Sequence, residues 1–346
     1  MSNPNSICIC IPTYNAEKTV VQTVRSILNQ TYQNTEILVV DNVSTDNTLA
    51  LLREFNDPRI KIHENNKNVS AEENFSRCIQ LANGEYIAIF HADDLYMPDI
   101  VQKQVQAFQD NPTIGAVFTL ANFIDDSGTV IGEHRLPVEL RGKRIYYFPE
   151  IFLSILENQN FLVCPSAMVR SAIYKELEPF DGKRFKTSAD LDMWLRILEK
   201  YPIAILGEKL INYRVSRAHG SYWFGYLRTE QADFFKVMDY YLSVKSTVLD
   251  IPRGALNKYE FLRSIDKIRC AVNYLIKGQS QDAKKLLKES FSAPVFWGAV
   301  GKIRGPKILA YRIFSATLLG LVDLGLGQHL RKILYWFLYI RKKKFT

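Results

Sequence analysis

The chain has 346 residues and a net charge of +8, with 47% hydrophobic, 12% aromatic and 23% charged residues. This composition excludes a largely disordered chain, and the length suits one large domain with an appendage. The five cysteines form no CxxC pair, which argues against a zinc ribbon or a thioredoxin-like redox site and favours a reducing compartment.

The positive charge is concentrated at the C-terminus. Residues 301–346 contain ten Lys and Arg residues and one acid, Asp323, so this segment carries +9 and the first 300 residues carry −1. A near-neutral body argues against a nucleic-acid-binding surface. The N-terminus lacks a basic segment and a long apolar core, so we expect no secretory signal and a cytoplasmic protein.

The first 125 residues alternate between strand-like and helix-like patterns. Continuous apolar runs predict strands buried on both faces, and amphipathic stretches between them predict helices. This alternation predicts an α/β fold, with a mostly parallel sheet flanked by helices and joined by right-handed crossovers. The predicted strands are 6–11, 36–41, 60–64, 86–90 and 114–120, and the predicted helices are 17–29, 47–55 and 70–82.

The pattern after residue 125 is less regular. It predicts a strand over 161–169, a helix over 188–200, a strand-rich segment over 202–215 and mainly helices over 225–292. Gly278 is expected in the turn of a short helix-turn-helix. We predict three parts of the chain: an α/β domain over 1–224, a helical extension over 225–300 and a basic tail over 301–346.

The tail contains two uncharged apolar stretches, Ile313–Val322 and Ile333–Ile340. Arg312 and Asp323 interrupt any longer apolar window, and a transmembrane helix needs about 20 apolar residues. Aromatic residues beside clustered cations predict an amphipathic helix lying on a membrane surface, which would place the protein on the inner face of the cell membrane. The alternative is a buried terminal helix with a solvated basic end.

Polar clusters follow three of the predicted strands, with the sequences PTYN, DNVSTD and HADD. Parallel sheets bind ligands at the carboxyl ends of their strands, so these clusters predict a site. Asp41 ends the second strand, where a carboxylate can accept from a base N–H or a ribose hydroxyl. Asp46 either contributes to this site or caps the following helix. The absence of GxGxxG, P-loop, GxSxG and HExxH motifs excludes the sites that these motifs mark.

Asp93 and Asp94 directly follow the fourth strand. Adjacent carboxylates at a ligand-binding edge are destabilising unless a cation or strong donors neutralise them. Mg²⁺ or Mn²⁺ is the natural partner, because both prefer oxygen ligands and usually share them with phosphates. His91 is either a further ligand or a packed histidine. The alternative for the two carboxylates is a solvated turn that caps the next helix.

Two later segments carry further candidates. Asp190 opens an amphipathic helix and is predicted to project into the cleft as a base, whereas Asp192 is explained by the helix dipole. Arg214 and His219 lie in a segment that also contains hydroxyl groups, which suits a diphosphate. The alternative for this segment is a basic surface loop.

These residues together resemble those of family-2 glycosyltransferases, an inverting group with the GT-A fold. The resemblance covers roughly residues 6–222 and rests on the order of its motifs. The matching segments are IPTYN (11–15), VVDNVSTDNT (39–48), the stretch 65–75, NGEYIAIFHADDLYMPD (83–99), SADLDMWLRI (188–197) and NYRVSRAHGS (212–221).

The resemblance implies transfer of a sugar from a nucleotide-diphosphate donor to a hydroxyl of a glycan or lipid-linked acceptor, as in bacterial envelope polysaccharide synthesis. It implies that Asp93 ligates Mg²⁺ or Mn²⁺ and that Asp190 is the general base. It places Asp94 near the donor sugar or metal, and Arg214 on the diphosphate side. The residues that would hold the base and ribose are Pro12, Thr13, Tyr14, Asn15 and Asp41.

The sequence departs from the family pattern at His91, where the motif often begins with Asp. The site then has one fewer anionic ligand, unless His91 itself coordinates the metal; His219 is a further candidate ligand. Near Asn68–Asn74 the glycine and arginine that are common in the family are missing. The alternative function is a non-catalytic glycan- or nucleotide-binding protein on a decayed transferase fold.

Overall fold

A computed structural model describes residues 5–215, 227–245, 249–292 and 305–343, with only the backbone for 291–292, 305–308 and 337–343. The chain divides into two compact units, the first ending at Ser216 and the second beginning at Arg217. Across these ranges the strands all belong to the first unit. The domain boundaries expected near 224 and 300 fall at residues outside the described ranges and stay predictions.

The first unit begins with four parallel strands and the helices that connect them. The apolar run of the first strand is buried along its length, because helices cover both faces of the sheet. Val20, Val24 and Ile27 form the buried face of the first helix. These elements are β1 (Ile7–Thr13), α1 (Val20–Leu28), β2 (Thr35–Asp41), α2 (Thr48–Arg53), β3 (Ile60–Glu64), α3 (Ala71–Leu81) and β4 (Tyr86–Ile89).

The remainder of the first unit mixes short strands with helices. It contains β5 (Leu95–Tyr96), α4 (Ile100–Asp110), β6 (Ala116–Ile124), β7 (Val130–Glu133), β8 (Ile145–Tyr146), α5 (Phe148–Asn158), β9 (Met168–Arg170), α6 (Ser171–Glu176), α7 (Gly182–Phe185), α8 (Ala189–Lys200) and β10 (Ile203–Arg214). Short 3-10 turns lie at Val138–Leu140, Cys164–Ser166 and Lys186–Ser188.

All ten strands form one sheet, in the order β3-β2-β1-β4-β9-β6-β10-β5, with β7 beside β6 and β8 beside β10. The pairs β1–β2, β1–β4, β2–β3 and β6–β10 are parallel. The prediction of a mostly parallel sheet flanked by helices is confirmed. Its parallel strands place their carboxyl ends at one edge, where the polar clusters of the sequence lie.

The strand predicted over 161–169 is wrong for most of its length. A 3-10 turn occupies Cys164–Ser166, and the strand β9 covers only Met168–Arg170. Pro165 has no backbone N–H to donate to a ladder, so the segment cannot run through the sheet as a regular strand. β9 pairs antiparallel with both β4 and β6 and therefore joins the two parallel halves.

The packing of one aromatic residue, Trp194, fixes the position of helix α8. The side chain of Trp194 is fully buried and packs edge-on against Phe118, with ring centroids 5.1 Å apart, and against Phe180, at 6.2 Å. Such pairs stabilise a core by more than their buried area alone. This packing sets the position of the first turn of α8, which carries Asp190.

The second unit contains α9 (Asp233–Lys245), α10 (Arg253–Ile276), α11 (Ser280–Ser292), α12 (Gly305–Asp323) and α13 (Gly327–Lys343). The turn between α10 and α11 contains Gly278 at a φ of +82°, which agrees with the predicted helix-turn-helix. None of the helices in the described ranges is long and apolar enough to cross a membrane. A separate core joins four of these helices through Ala271, Leu275, Ala283, Leu287, Leu318 and Leu330.

Candidate functional site

The loops that follow β1 and β2 are hydrogen-bonded to each other. The backbone N–H of Asn15 donates to Ser44 Oγ at 2.9 Å, and Asn15 Oδ1 accepts from the Thr45 N–H at 2.8 Å. Asp41 is fully buried, and its two carboxylate oxygens accept from the N–H of Ser44 at 2.9 Å and from its hydroxyl at 2.5 Å. These bonds hold two of the predicted nucleotide-binding segments as one surface.

This joined surface presents two exposed large hydrophobic side chains, from Tyr14, which is 52% exposed, and Val43, which is 38% exposed. Their loops include Asn15 at a φ of +48° and Val43 at +63°. A β-branched residue at positive φ is strained, and such strain concentrates at ligand-binding sites. The sequence analysis missed Val43, because no residue pattern marks a backbone angle. The predicted site residue Thr13 is instead buried, with its hydroxyl bonded to the Ile11 carbonyl.

Asp46 caps the start of α2, as the alternative interpretation proposed. Its carboxylate accepts from the N–H and the hydroxyl of Thr48, at 3.0 and 2.5 Å, and from the N–H of Glu17 at 3.1 Å. Burial would raise the pKa of this carboxyl, but the hydrogen bonds outweigh burial and lower it. Asp46 therefore ties the loop to α1 and α2.

His91, Asp93 and Asp94 form a cluster just beyond β4. One potential ligand atom from each lies within 4.8 Å of the others. Two buried atoms of the cluster, His91 Nε2 and Asp94 Oδ2, have no hydrogen-bond partner among the residues that the structure describes. Buried polar atoms are seldom left unpaired, so the cluster fits a cation bound by nitrogen and oxygen ligands.

The pKa shifts of His91 and Asp94 agree with the binding of a cation by this cluster. Burial lowers the pKa of His91, with Asp93 opposing the shift, so the imidazole is neutral and able to ligate at neutral pH. Burial and the neighbouring Asp93 raise the pKa of Asp94 well above its usual range, while Arg214 opposes the shift. A divalent cation beside Asp94 would favour its ionised form.

His91 is held by two aromatic residues that the sequence analysis did not select, one at its ring and one at its backbone. Its ring stacks on Phe75, with centroids 5.6 Å apart. Its backbone N–H donates to the hydroxyl of Tyr96 at 2.7 Å. In the sequence, Phe75 is marked only as the last residue of the stretch 65–75 that resembles the family. That position does not indicate that its ring contacts His91.

Arg214 braces the turn that carries the two carboxylates. Its backbone N–H donates to Asp94 Oδ1 at 2.8 Å, and its Nε donates to the Asp93 carbonyl at 2.9 Å. Its Nη atoms donate to the carbonyls of Asp125 and Asp126 and to Gln22 Oε1. Four of the five guanidinium N–H groups are thus used within the protein, and the residue is 4% exposed. These bonds give Arg214 a positioning role in this turn, and its predicted contact with a diphosphate stays a prediction.

Replacing Arg214 with Lys is expected to weaken Mn²⁺ binding about tenfold and to lower the free energy of unfolding by about 2–3 kcal/mol. An ammonium group has three donors at one point and cannot reproduce the planar set of bonds, so buried carbonyls lose their partners. Calorimetry with Mn²⁺ and urea unfolding measure the two effects. Arg135→Lys is the control, since Arg135 is 73% exposed. Unchanged Mn²⁺ affinity in the folded Arg214→Lys protein would contradict the positioning role.

Asp190 lies in the first turn of α8, as predicted. Burial raises the pKa of its carboxyl to about 6; the N–H of Leu191, which donates at 2.8 Å, opposes the shift, and the charge of Glu72 adds to it. The charges of Asp190 and Asp94 both raise the pKa of Cys164, after the larger effect of burial. Both also act on Tyr213, whose pKa is raised mainly by burial. The charges of the predicted base and of the carboxylate cluster therefore both act on Cys164 and Tyr213.

Asp192 has a structural role, which agrees with its interpretation as a residue of the helix start and not of the site. It is 3% exposed and accepts from Arg196 Nε at 2.9 Å. Arg196 also donates to the carbonyls of Glu178 and Pro179, which fixes the segment before α7. His219, the remaining predicted ligand, lies outside the described residues.

Comparisons with known proteins agree with this arrangement. The model of the family "Glycosyl transferase family 2" matches residues 8–178. An uncharacterized glycosyltransferase of Methanocaldococcus jannaschii is 32% identical over 216 residues, which are 60% of this chain and 70% of that protein. A UDP-Glc:alpha-D-GlcNAc-diphosphoundecaprenol beta-1,3-glucosyltransferase of Escherichia coli is 27% identical over 61% of this chain and 78% of its own length. The crystal structure of S. aureus TarS 1–349 in complex with UDP-GlcNAc has a TM-score of 0.56 at 18% identity and covers 92% of both chains, which shows a shared fold.

Proposed function

The chain belongs to glycosyl transferase family 2, and we propose that it transfers a sugar, with inversion, from a nucleotide-diphosphate donor to an acceptor hydroxyl. One observation supports this proposal above the others. The cluster of His91, Asp93 and Asp94 has buried ligand atoms without a partner among the described residues, and the charges of Asp94 and of Asp190, whose pKa is raised, both act on Cys164 and Tyr213. A displacement at one carbon atom requires a cation beside the leaving group and a base beside the acceptor hydroxyl.

The donor nucleotide is assigned to the joined loops after β1 and β2. The exposed ring of Tyr14 is available to stack on a base, and Asn15 and Asp41 hold the two loops together. Pro12 and Thr13 supply the backbone of the strand end beneath them. This surface lies at the carboxyl ends of parallel strands, the usual ligand edge of such sheets.

Asp93, Asp94 and His91 are the residues that would hold Mg²⁺ or Mn²⁺ near the diphosphate. The cation, when bound, supplies positive charge that favours departure of the nucleoside diphosphate. Arg214 keeps the Asp93–Asp94 turn in place through the bonds described above. The neutral imidazole of His91 adds a ligand without adding charge.

Asp190 is proposed to remove the proton of the acceptor hydroxyl. As the hydroxyl oxygen forms a bond to the anomeric carbon, the bond from that carbon to the diphosphate oxygen breaks, and its electron pair leaves with the nucleotide. The proton ends on the Asp190 carboxylate. A base with a pKa of about 6 is largely ionised at neutral pH and accepts a proton more readily than an ordinary aspartate.

A sugar carried on a lipid diphosphate is the proposed acceptor. The Escherichia coli relative is named for action on a diphosphoundecaprenol-linked sugar, and we extend that acceptor class to this chain. Such acceptors serve the synthesis of cell-envelope polysaccharides, and the reaction is assigned to the cytoplasmic face of the membrane.

The nucleotide-binding test uses calorimetry with UDP, GDP and dTDP, with and without Mn²⁺. We expect one nucleotide to bind more tightly than the others, with an affinity that falls when Mn²⁺ is removed, because the cluster shares the cation with the diphosphate. A folded protein that binds none of the three would contradict the proposal and favour a non-catalytic protein on the same fold.

A further inference from the structure

The helices α12 and α13 expose a set of large apolar side chains, which we call the tail face. Three of them, on α12, are 44–58% exposed, and two on α13 are 52% and 57% exposed. Between these helices Leu324 is 74% exposed. The tail face consists of Leu309, Ile313, Phe314, Leu324, Ile333 and Trp336.

Other residues of the same helices are already packed in a core. Leu318 of α12 and Leu330 of α13 are buried in the core that they share with α10 and α11. Ser315, one residue from the tail face, is also buried and lies near Ser290 of α11. The second unit therefore has its own core, and that core does not need the tail face to be covered.

The sequence that contains the tail face has a large excess of positive charge. Residues 301–346 contain ten cations and one acid, Asp323, which is paired with Lys284 of α11. Lys332 is exposed beside Ile333 on α13. An occupant of the tail face must therefore be apolar where it contacts the side chains and anionic at its border.

We propose that the tail face docks on an anionic phospholipid surface, with α12 and α13 lying in the interface. Apolar and aromatic side chains enter the boundary between headgroups and acyl chains, while surrounding cations attract anionic lipids. A second copy of this chain would satisfy the apolar contacts, but it would bring two tails of charge +9 together, which disfavours it. This proposal does not depend on the transfer reaction.

Sedimentation of the full-length protein with vesicles tests the proposal. We expect binding to phosphatidylcholine vesicles that contain about 30% phosphatidylglycerol, and binding at least about tenfold weaker to pure phosphatidylcholine or in high salt. Equal binding to both vesicle types, or no binding to the anionic ones, would overturn it.

A pair of matched variants assigns the binding to the tail face. Ile333→Asp combined with Trp336→Ala is expected to lower the vesicle partition coefficient about tenfold or more, since both side chains would leave the interface. Ile131→Asp is the control, because Ile131 is 58% exposed on β7 of the other unit. Thermal unfolding verifies that both proteins fold. If the two variants partition alike, the tail face is not the docking surface.

A measurement without lipid distinguishes the rival occupant. Sedimentation equilibrium of the wild-type protein is expected to give a monomer whose mass does not change in the Ile333→Asp variant. A dimer that the Ile333→Asp change disperses would overturn the membrane proposal and assign the tail face to a second copy of this chain.

Discussion

Replacing Asp190 with Asn is expected to lower the rate of sugar transfer by ~10²–10⁴-fold while nucleotide binding is retained. The amide has nearly the same shape as the carboxyl group but cannot accept the acceptor's proton.

The wild-type rate is expected to rise as the pH increases through about 6, because the base must be ionised to act and burial raises its pKa to that value. Steady-state assays over pH 5–8 and nucleotide calorimetry measure these effects.

The same substitution is expected to stabilise the fold at neutral pH. In the unfolded chain the carboxyl ionises near pH 3.8, whereas in the native chain it ionises at about 6. Ionisation therefore favours the unfolded state, and the destabilisation develops between these two pH values and stays constant above them. The full effect is at most ~3 kcal/mol, and the partial exposure of Asp190 reduces the expected gain to about 1–2 kcal/mol.

Asp192→Asn is the matched control for both effects. Asp192 lies two residues further along α8, but its carboxylate is paired with Arg196. Its substitution is expected to lower the free energy of unfolding by about 1–3 kcal/mol, opposite in sign to Asp190→Asn, and to leave the pH dependence of transfer unchanged. Urea unfolding at pH 4 and pH 8 separates the two cases. Full transfer activity in Asp190→Asn would refute the assignment of the base.

Replacing Asp93 with Asn is expected to weaken Mn²⁺ binding at least ~100-fold and to abolish the metal dependence of nucleotide binding. The cluster then has one carboxylate to balance a divalent cation, and an amide oxygen is a weaker ligand than a carboxylate. The pKa of Asp94 is expected to fall, because the charge of Asp93 is one cause of its elevation. Calorimetry and the electron paramagnetic resonance signal of Mn²⁺ measure the loss directly.

Asp99→Asn provides the comparison for Asp93→Asn. Asp99 lies in the same loop region but is 43% exposed and paired with Lys103. It is expected to bind Mn²⁺ like the wild-type protein. Mn²⁺ binding of equal affinity and stoichiometry in Asp93→Asn and Asp99→Asn would show that the cluster is not the metal site.

The parallel part of the sheet could be predicted because its signal is local. The apolar runs of β1, β2 and β4 appear directly in the sequence, and the polar residues that follow them mark the ligand edge. Asp93 and Asp94 were selected in this way, whereas Asp190 was selected from the start of an amphipathic helix. The structure adds that Asp190 and Asp94 act on the same side chains, which no local pattern contains.

The features that were missed depend on contacts between distant residues. Arg214 was selected because its neighbours are basic and polar, and the sequence did not predict its partners in α1, the Asp93 turn and the turn after β6. Phe75 contacts His91 across the chain, and β9 is too short to show a period. Burial and pairing of this kind follow from tertiary packing.

The position of β9 also has a consequence for the order in which the chain folds. Its three residues pair with β4, which was synthesised about 80 residues earlier, and with the first residues of β6, about 50 residues earlier; β10, which pairs along β6, follows later in the chain. Until Met168–Arg170 emerge from the ribosome, β4 and β6 present open, apolar edges that invite pairing with other chains. A fragment that stops before this strand is therefore expected to aggregate, and the first unit is expected to fold as one cooperative body.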